Sequence, residues 1–198
     1  MISEQNYKIL KEKFGSVSSW AIWNTNYTTS EPKLNTADLS VFNSPNLLDI
    51  LNTGFVFVGL NVSGTHGDIS KNGPAWYNFH SGYARQNDYK LRYALQGTRY
   101  WGSYISDIIK HYPEVDSNNV RRYLNGHPEV VEENVEEFKQ ELALLGERPV
   151  LVALGTATYD ILCKYLKPEY KVAKIKHYSY TIGKENYRDE VLKELDKF

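Results

Sequence analysis

Short apolar runs alternate along the chain with segments whose apolar residues recur at helical spacing. Residues 55–60 and 150–154 contain no polar side chain, which predicts strands buried on both faces, as in a parallel sheet. Residues 104–109 and 170–175 are two further strand candidates, although a helix is an alternative for the first of them. Because these four candidates alternate with predicted helices, we expect right-handed crossovers and a mainly parallel sheet between helical layers.

The predicted helices fill the spaces between these strands. Ser3 can cap a first helix that runs to about Phe14. Residues 16–45 are rich in Ser, Thr, Asn and Pro but hold two tryptophans, so we expect an ordered, irregular segment. Further helices are predicted after Pro45 and at residues 88–96, 116–125, 129–145, 156–166 and 185–195. We therefore expect a single domain over residues 1–198, with an irregular N-terminal extension at about 1–50.

Composition narrows the class of protein. The chain has 198 residues, of which 41% are hydrophobic and 24% charged, as expected for one globular domain. No apolar run approaches the roughly 20 residues that span a bilayer, and the first residues do not resemble a signal peptide. The single cysteine, Cys163, excludes an internal disulfide and any multi-cysteine zinc or iron–sulfur centre. We expect a cytoplasmic monomer without a metal or other cofactor and without a membrane partner.

The charges are distributed unevenly, although the net charge is only -1. Residues 71–99 hold five basic side chains against Asp88 alone, and residues 164–188 hold seven against two glutamates. If both segments face the same side, they form an electrostatic footprint for phosphates. The alternative is that these lysines and arginines simply cover a solvated surface.

The first and last predicted strands both end in sequences that suit a binding site. The first continues into Asn61-Val62-Ser63-Gly64, where the Asn61 carboxamide can hold a water or a base edge. The last continues into His177-Tyr178-Ser179, where an imidazole can donate to a developing anion. In open α/β sheets, ligands bind beyond the carboxyl ends of the strands. A shared site is therefore predicted, although an ordinary turn and a structural histidine are the alternatives for each motif alone.

These two motifs, in this order and strand context, resemble those of the uracil-DNA glycosylase superfamily. That family carries Gly-Leu/Met-Asn/Asp-Pro-Gly/Ser after its first strand and His-Pro-Ser after its last. The matching residues here are 59–64 and 177–179, with Val62 and Tyr178 in place of the two prolines. The resemblance spans Phe55 to the C-terminus and implies a three-layer α/β/α sandwich around a four-stranded, mainly parallel sheet.

The resemblance implies a DNA glycosylase-like enzyme that flips a uracil, or another deaminated or damaged base, and hydrolyses its N-glycosidic bond. The implied partner is single- or double-stranded DNA. Asn61 would position the attacking water or the leaving base. His177, aided by the backbone N–H of Leu60, would stabilise the departing base anion.

The resemblance also implies residues that bind the substrate. Phe79 would stack on the flipped base, with Trp76 as the rival. Asp107 could read the base edge, and the alternative for Asp107 is a helix cap or an ion pair. The remaining implied contacts are Ser63 and Ser179 at the flanking phosphates, and Gly59 and Gly64 in the first motif.

Other functions stay open at this point. The same fold could be a catalytically inactive or repurposed member that binds nucleotides or nucleic acid, or an enzyme of free nucleosides. A Rossmann-type nucleotide binder is a weaker alternative, because no Gly-x-Gly-x-x-Gly follows a predicted strand. Thr156 and Ala157, after Gly155, could seat an anion at a helix N-terminus, which is common in α/β proteins.

Overall fold

The computed structural model describes residues 1–63, 74–83 and 86–198. Its strands are β1 (Ser18–Trp20), β2 (Asn52–Asn61), β3 (Ser103–Ile109), β4 (Val150–Leu154) and β5 (Val172–Ile175). Its helices are α1 (Glu4–Phe14), α2 (Leu47–Ile50), α3 (Asp88–Leu95), α4 (Ser117–Gly126), α5 (Pro128–Ala143), α6 (Thr156–Tyr165) and α7 (Lys184–Leu195), with a 3-10 helix at Leu39–Asn43. The Ser3 hydroxyl caps α1 by accepting from the Asn6 N–H at 3.1 Å.

The strands form one sheet in the order β1-β3-β2-β4-β5. The last four run parallel, and β1 pairs antiparallel to β3 at the edge. The predicted α/β class with a mainly parallel sheet is confirmed, but the predicted count of four strands is wrong, because β1 adds a fifth. Ser18 and Ser19 give no apolar pattern. The strand forms there because it pairs the otherwise open edge of β3.

Two hydrophobic clusters lie on opposite faces of the sheet. Alternate residues of β2 enter them, with Val56 and Val58 in one cluster and Phe57 in the other. Helices α1, α4, α5 and α6 contribute to the first cluster, and α3 and α7 to the second. Helices therefore cover both faces, which is why the middle of β2 has no exposed position.

The direction in which successive strands are added to the sheet reverses next to β2. From β2 it passes to β3 on one side, and from β3 it crosses to β4 on the other side and continues to β5. In α/β folds, such a point leaves a crevice beyond the carboxyl ends of the two strands whose connections diverge. Here those strands are β2, which ends at Asn61, and β4, which is followed by Gly155.

The N-terminal segment is tied to the domain by a buried guanidinium. Arg92 on α3 donates to the carbonyl oxygens of Asn24, Pro32 and Leu34 at 2.7 to 2.9 Å. A buried charge needs such partners because it has lost its hydration. No helix within the described ranges is long and apolar enough to cross a membrane.

Candidate functional site

The crevice beyond β2 and β4 is a cleft of about 580 Å³. Its walls come from the end of β2, the loop 74–83, the middle of β3, the start of α6 and the loop after β5. Most of the predicted site residues line it, namely Leu60, Asn61, Ser63, Phe79, Asp107, His177 and Ser179. Residues from both predicted motifs therefore share one space.

A larger groove, of about 870 Å³, follows the outer edge of β5 between α6 and α7. Many of its charged side chains pair with one another: Lys176 lies 2.9 Å from Glu190, and Lys197 lies 2.7 Å from Glu194. We place the candidate site in the smaller cleft, because polar groups from several separate elements converge there.

The Asn61 carboxamide is held by the loop that follows β3. Its Nδ2 donates to the carbonyl oxygens of Glu114 at 2.8 Å, Val62 at 3.0 Å and Tyr112 at 3.3 Å. These acceptors fix which amide atom is nitrogen. No donor in the described part of the chain occupies Oδ1. Asn61 is therefore a rigid acceptor at the tip of the central strand, which suits the positioning of a water.

The hydrogen bonds of His177 define its tautomer. Its Nδ1 accepts the backbone N–H of Ser179 at 3.1 Å and lies 2.7 Å from the Ser179 hydroxyl. Because Nδ1 is an acceptor, the proton of the neutral ring is on Nε2. Burial lowers the pKa of His177 to about 4. At neutral pH the side chain is therefore an uncharged Nε2–H donor.

Asp107 fills space that Gly59 leaves open. The two residues face each other across β2 and β3, and a Cβ on Gly59 would lie 2.1 Å from Asp107 Oδ1. Burial is the main cause that raises the pKa of Asp107 to about 7. Asp107 is not a helix cap, because it lies within a strand, and among the described residues it forms no ion pair, since the nearby Lys110 pairs with Glu141 at 2.8 Å.

Phe79 is presented by a strained turn. Trp76 and Phe79 have φ angles of 71° and 67°, which bulky residues rarely adopt. Hydrogen bonds from the β1 region hold this turn: Ser19 Oγ donates to Trp76 O at 3.0 Å, and Trp23 Nε1 donates to Phe79 O at 3.2 Å. The Phe79 ring carbon Cε1 lies 3.6 Å from the Cβ position of Gly59. The N-terminal segment thus serves as the support for one wall of the cleft.

The two stacking candidates occupy different places. Phe79 lines the cleft, whereas Trp76 is buried in the core, where its indole contacts Trp20 and donates to the Tyr7 hydroxyl at 2.9 Å. Gly64 lies outside the described residues. Ser63 is exposed at the cleft mouth.

Sequence reasoning did not select Asn78 and Tyr178, which also belong to this site. Asn78 lines the cleft and donates from Nδ2 to Asp107 Oδ2 at 3.0 Å. Tyr178 lies buried with its ring 4.2 Å from that of His177, and its hydroxyl interacts with Asp88 and lowers the pKa of that carboxyl. The only sequence signal for Asn78 was its position beside Phe79.

The two basic segments use much of their charge inside the domain. Arg188 Nη1 donates to the carbonyl oxygens of Tyr93 and Ala94 at 2.6 and 3.1 Å, and Lys90 Nζ to that of Tyr180 at 3.0 Å. Lys71 and Arg85 lie outside the described residues. Arg121, on α4, lines the cleft itself. The described basic residues thus leave less free charge for phosphates than the sequence count suggests.

Among the described residues, no group of three or more His, Cys, Asp or Glu side chains is arranged to hold a metal ion. The chain matches no protein-family model, no curated protein and no solved structure. The resemblance to uracil-DNA glycosylases therefore stays a prediction.

Proposed function

We propose that this protein hydrolyses the N-glycosidic bond of a deaminated or damaged base that is flipped out of DNA into the cleft. The observation that carries the proposal is the convergence of Asn61, Phe79, Asp107 and His177 on one space from four separate parts of the chain. Together they offer an acceptor for water, an aromatic face, a group for the base edge and a neutral donor.

The chemistry of the reaction matches the states of these groups. As the bond breaks, positive charge develops on the sugar and negative charge on the base. Because its pKa is low, His177 is neutral at pH 7, and its Nε2–H can donate a hydrogen bond to the base oxygen. Asn61 Oδ1 can hold the water that attacks the sugar carbon. Phe79 offers a face on which the base can stack.

The test is base release from oligonucleotides that each hold one uracil, hypoxanthine or xanthine, detected as alkali-labile abasic sites. We expect His177→Ala and Asn61→Ala each to lower turnover by ~10²–10³-fold. His127→Ala is the matched control, since His127 is exposed and does not line the cleft. Base release that is unchanged in both site variants would assign the motifs to structure alone.

Asn61→Ala needs a stability measurement beside the activity assay. Its Nδ2 bonds three carbonyl oxygens, so its loss leaves acceptors of the loop after β3 without their donor. His177→Ala lacks this complication, because within residues 1–63, 74–83 and 86–198 its ring bonds only Ser179, two positions later. A turnover loss in His177→Ala at unchanged melting temperature is therefore the cleaner evidence.

A second candidate function is hydrolysis or binding of free nucleosides or nucleotides in the same cleft. The observation that favours it is the internal use of Lys90, Arg92 and Arg188, which reduces the charge left for a DNA backbone. The same variants, assayed with free deoxyuridine and inosine by chromatography, test it. Binding of oligonucleotides that weakens steeply with salt would favour DNA instead.

A further inference from the structure

Asn78 is locked so that its amide oxygen is the free atom. Its Nδ2 donates to Val17 O at 2.7 Å and to Asp107 Oδ2 at 3.0 Å, which uses both amide hydrogens. Because Val17 O can only accept, the amide cannot be turned around. Asn78 lines the cleft, and no donor in the described chain occupies its Oδ1. Asn78 therefore presents an acceptor.

The two oxygens of the Asp107 carboxyl also differ in whether they accept a hydrogen bond. Oδ2 is occupied by Asn78, and Oδ1 lies over Gly59 with no donor from the described residues. A proton on this carboxyl is therefore carried by Oδ1. In the acid form the two free oxygens are therefore one donor and one acceptor, and in the ionised form they are two acceptors.

We propose that Asp107 in its acid form and Asn78 together select the base, by pairing with an edge on which a carbonyl stands next to a ring N–H. Oδ1–H of Asp107 donates to the base carbonyl, and Asn78 Oδ1 accepts the ring N–H. Uracil, hypoxanthine and xanthine carry this edge. When Asp107 is ionised, Oδ1 has no proton to donate and repels the base carbonyl oxygen, so the same bases are rejected. This inference depends on the proposed function only in taking the cleft as the base site.

The groups around Asp107 bring the pKa of its carboxyl close to neutral pH. Burial raises its pKa to about 7, while the Asn78 hydrogen bond and Lys110, from the end of β3, act in the opposite direction. Glu141 on α5 and Asp88 on α3 raise it further. The Tyr178 hydroxyl, from the loop after β5, stays protonated because its own pKa lies well above its usual value. The acid form therefore dominates below pH 7 and the ionised form above it.

The experiment measures binding of free uracil and hypoxanthine to the full chain by calorimetry between pH 6 and 8.5. We expect affinity to fall by about tenfold per pH unit above 7, as one deprotonation requires. Asp107→Asn keeps a donor at this place without titrating, so it should bind uracil equally at pH 6 and 8.5. Asp107→Ala should lose binding at both values. Uracil methylated at N3, which lacks the ring N–H, should not bind the wild type.

A matched control separates Asp107 from its neighbouring carboxyl. The pKa of Asp88 is raised to about 6, and Asp88→Asn removes one charge that raises the pKa of Asp107. We expect the fall in affinity to move to lower pH in Asp88→Asn but to persist. If the fall disappears in Asp88→Asn and persists in Asp107→Asn, the inference is wrong.

The outcomes also separate this inference from the proposed reaction. If uracil binds with the expected fall in affinity above pH 7, but no oligonucleotide or nucleoside releases its base, base selection is supported and hydrolysis is refuted. Base release with the same pH profile in wild type and Asp107→Asn supports hydrolysis and overturns this inference. Absence of both binding and release overturns both.

Discussion

Gly59→Ala tests the packing between β2 and β3 on which the candidate site depends. The added methyl would lie 2.1 Å from Asp107 Oδ1 and 3.3 Å from its Cγ. Asp107 must therefore withdraw by more than an ångström before the contact becomes an ordinary one. Its carboxyl cannot swing away freely, because it is buried and its other oxygen is bonded to Asn78.

The magnitude follows from comparison with other overpacked cores. Inserting a methyl group into a close-packed interior lowers the free energy of unfolding by about 1–3 kcal/mol. For a chain of this length, each kcal/mol corresponds to a melting temperature about 2–4 °C lower. Part of the strain can be relieved at the end of the Asp107 side chain. We therefore expect a loss of about 1–2 kcal/mol in Gly59→Ala.

The assay is urea unfolding of a double-mutant cycle. In the Asp107→Ala background, the atoms that clash with the new methyl are absent, so Gly59→Ala should destabilise the protein far less than in the wild type. Gly54→Ala is the control within β2, since among the described atoms its methyl would meet only Asn52 Oδ1, at 3.2 Å. An equal loss for Gly59→Ala in both backgrounds would refute the contact between Gly59 and Asp107.

Three further changes test the buried charges. At pH 8, Asp107→Asn should be more stable than the wild type by on the order of 4 kcal/mol, because the pKa of the carboxyl is raised to about 7 in the folded protein and its ionisation therefore opposes folding. The difference should shrink as pH falls and be nearly gone by about pH 3, where the folded and unfolded chains both bind the proton. The pKa of His177 is lowered to about 4 in the folded protein, so between about pH 6.5 and pH 4 the unfolded chain binds a proton there that the folded protein does not. As pH falls through this range, the melting temperature of the wild type should therefore fall more than that of His177→Gln. Lys110→Met should lower the free energy of unfolding by about 3–5 kcal/mol, because it leaves Glu141 charged and unpaired in the core, whereas Lys8→Met at an exposed pair should leave stability unchanged. Equal urea midpoints for the two lysine variants would contradict the role of the buried pair.

The parts of the fold that could be predicted were those with a local signal. The strand at Val150–Leu154 and the central strand are apolar throughout their cores, and only burial on both faces accounts for such runs. The edge strand at Ser18–Trp20 has no such signal. It is defined by partners far along the chain, in a ladder that joins Ser18 to Ser106. Short edge strands of this kind depend on tertiary pairing, which no local pattern encodes.

The residues of the site also differ in whether a local sequence pattern could predict them. Asn61 and His177 could be placed together from sequence, because both follow parallel strands that end at one edge of the sheet. Asn78 could not, since its orientation depends on a hydrogen bond to Val17 O, 61 residues earlier. The raised pKa of Asp107 also depends on burial by several elements. The sequence thus predicted the position of the cleft better than the states of the groups within it.

Tyr178 joins the loop after β5 to other parts of the cleft wall. Asp88, at the start of α3, accepts the Ser81 N–H at 2.7 Å, and its interaction with the Tyr178 hydroxyl lowers its pKa. The Tyr178 ring is buried in the second hydrophobic cluster, which also holds Leu91 of α3 and Tyr187 of α7. The Tyr178 ring lies 4.2 Å from that of His177. The loop that carries His177 is thereby packed against α3, and α3 is joined through Asp88 to the loop that carries Phe79, so two walls of the cleft are coupled.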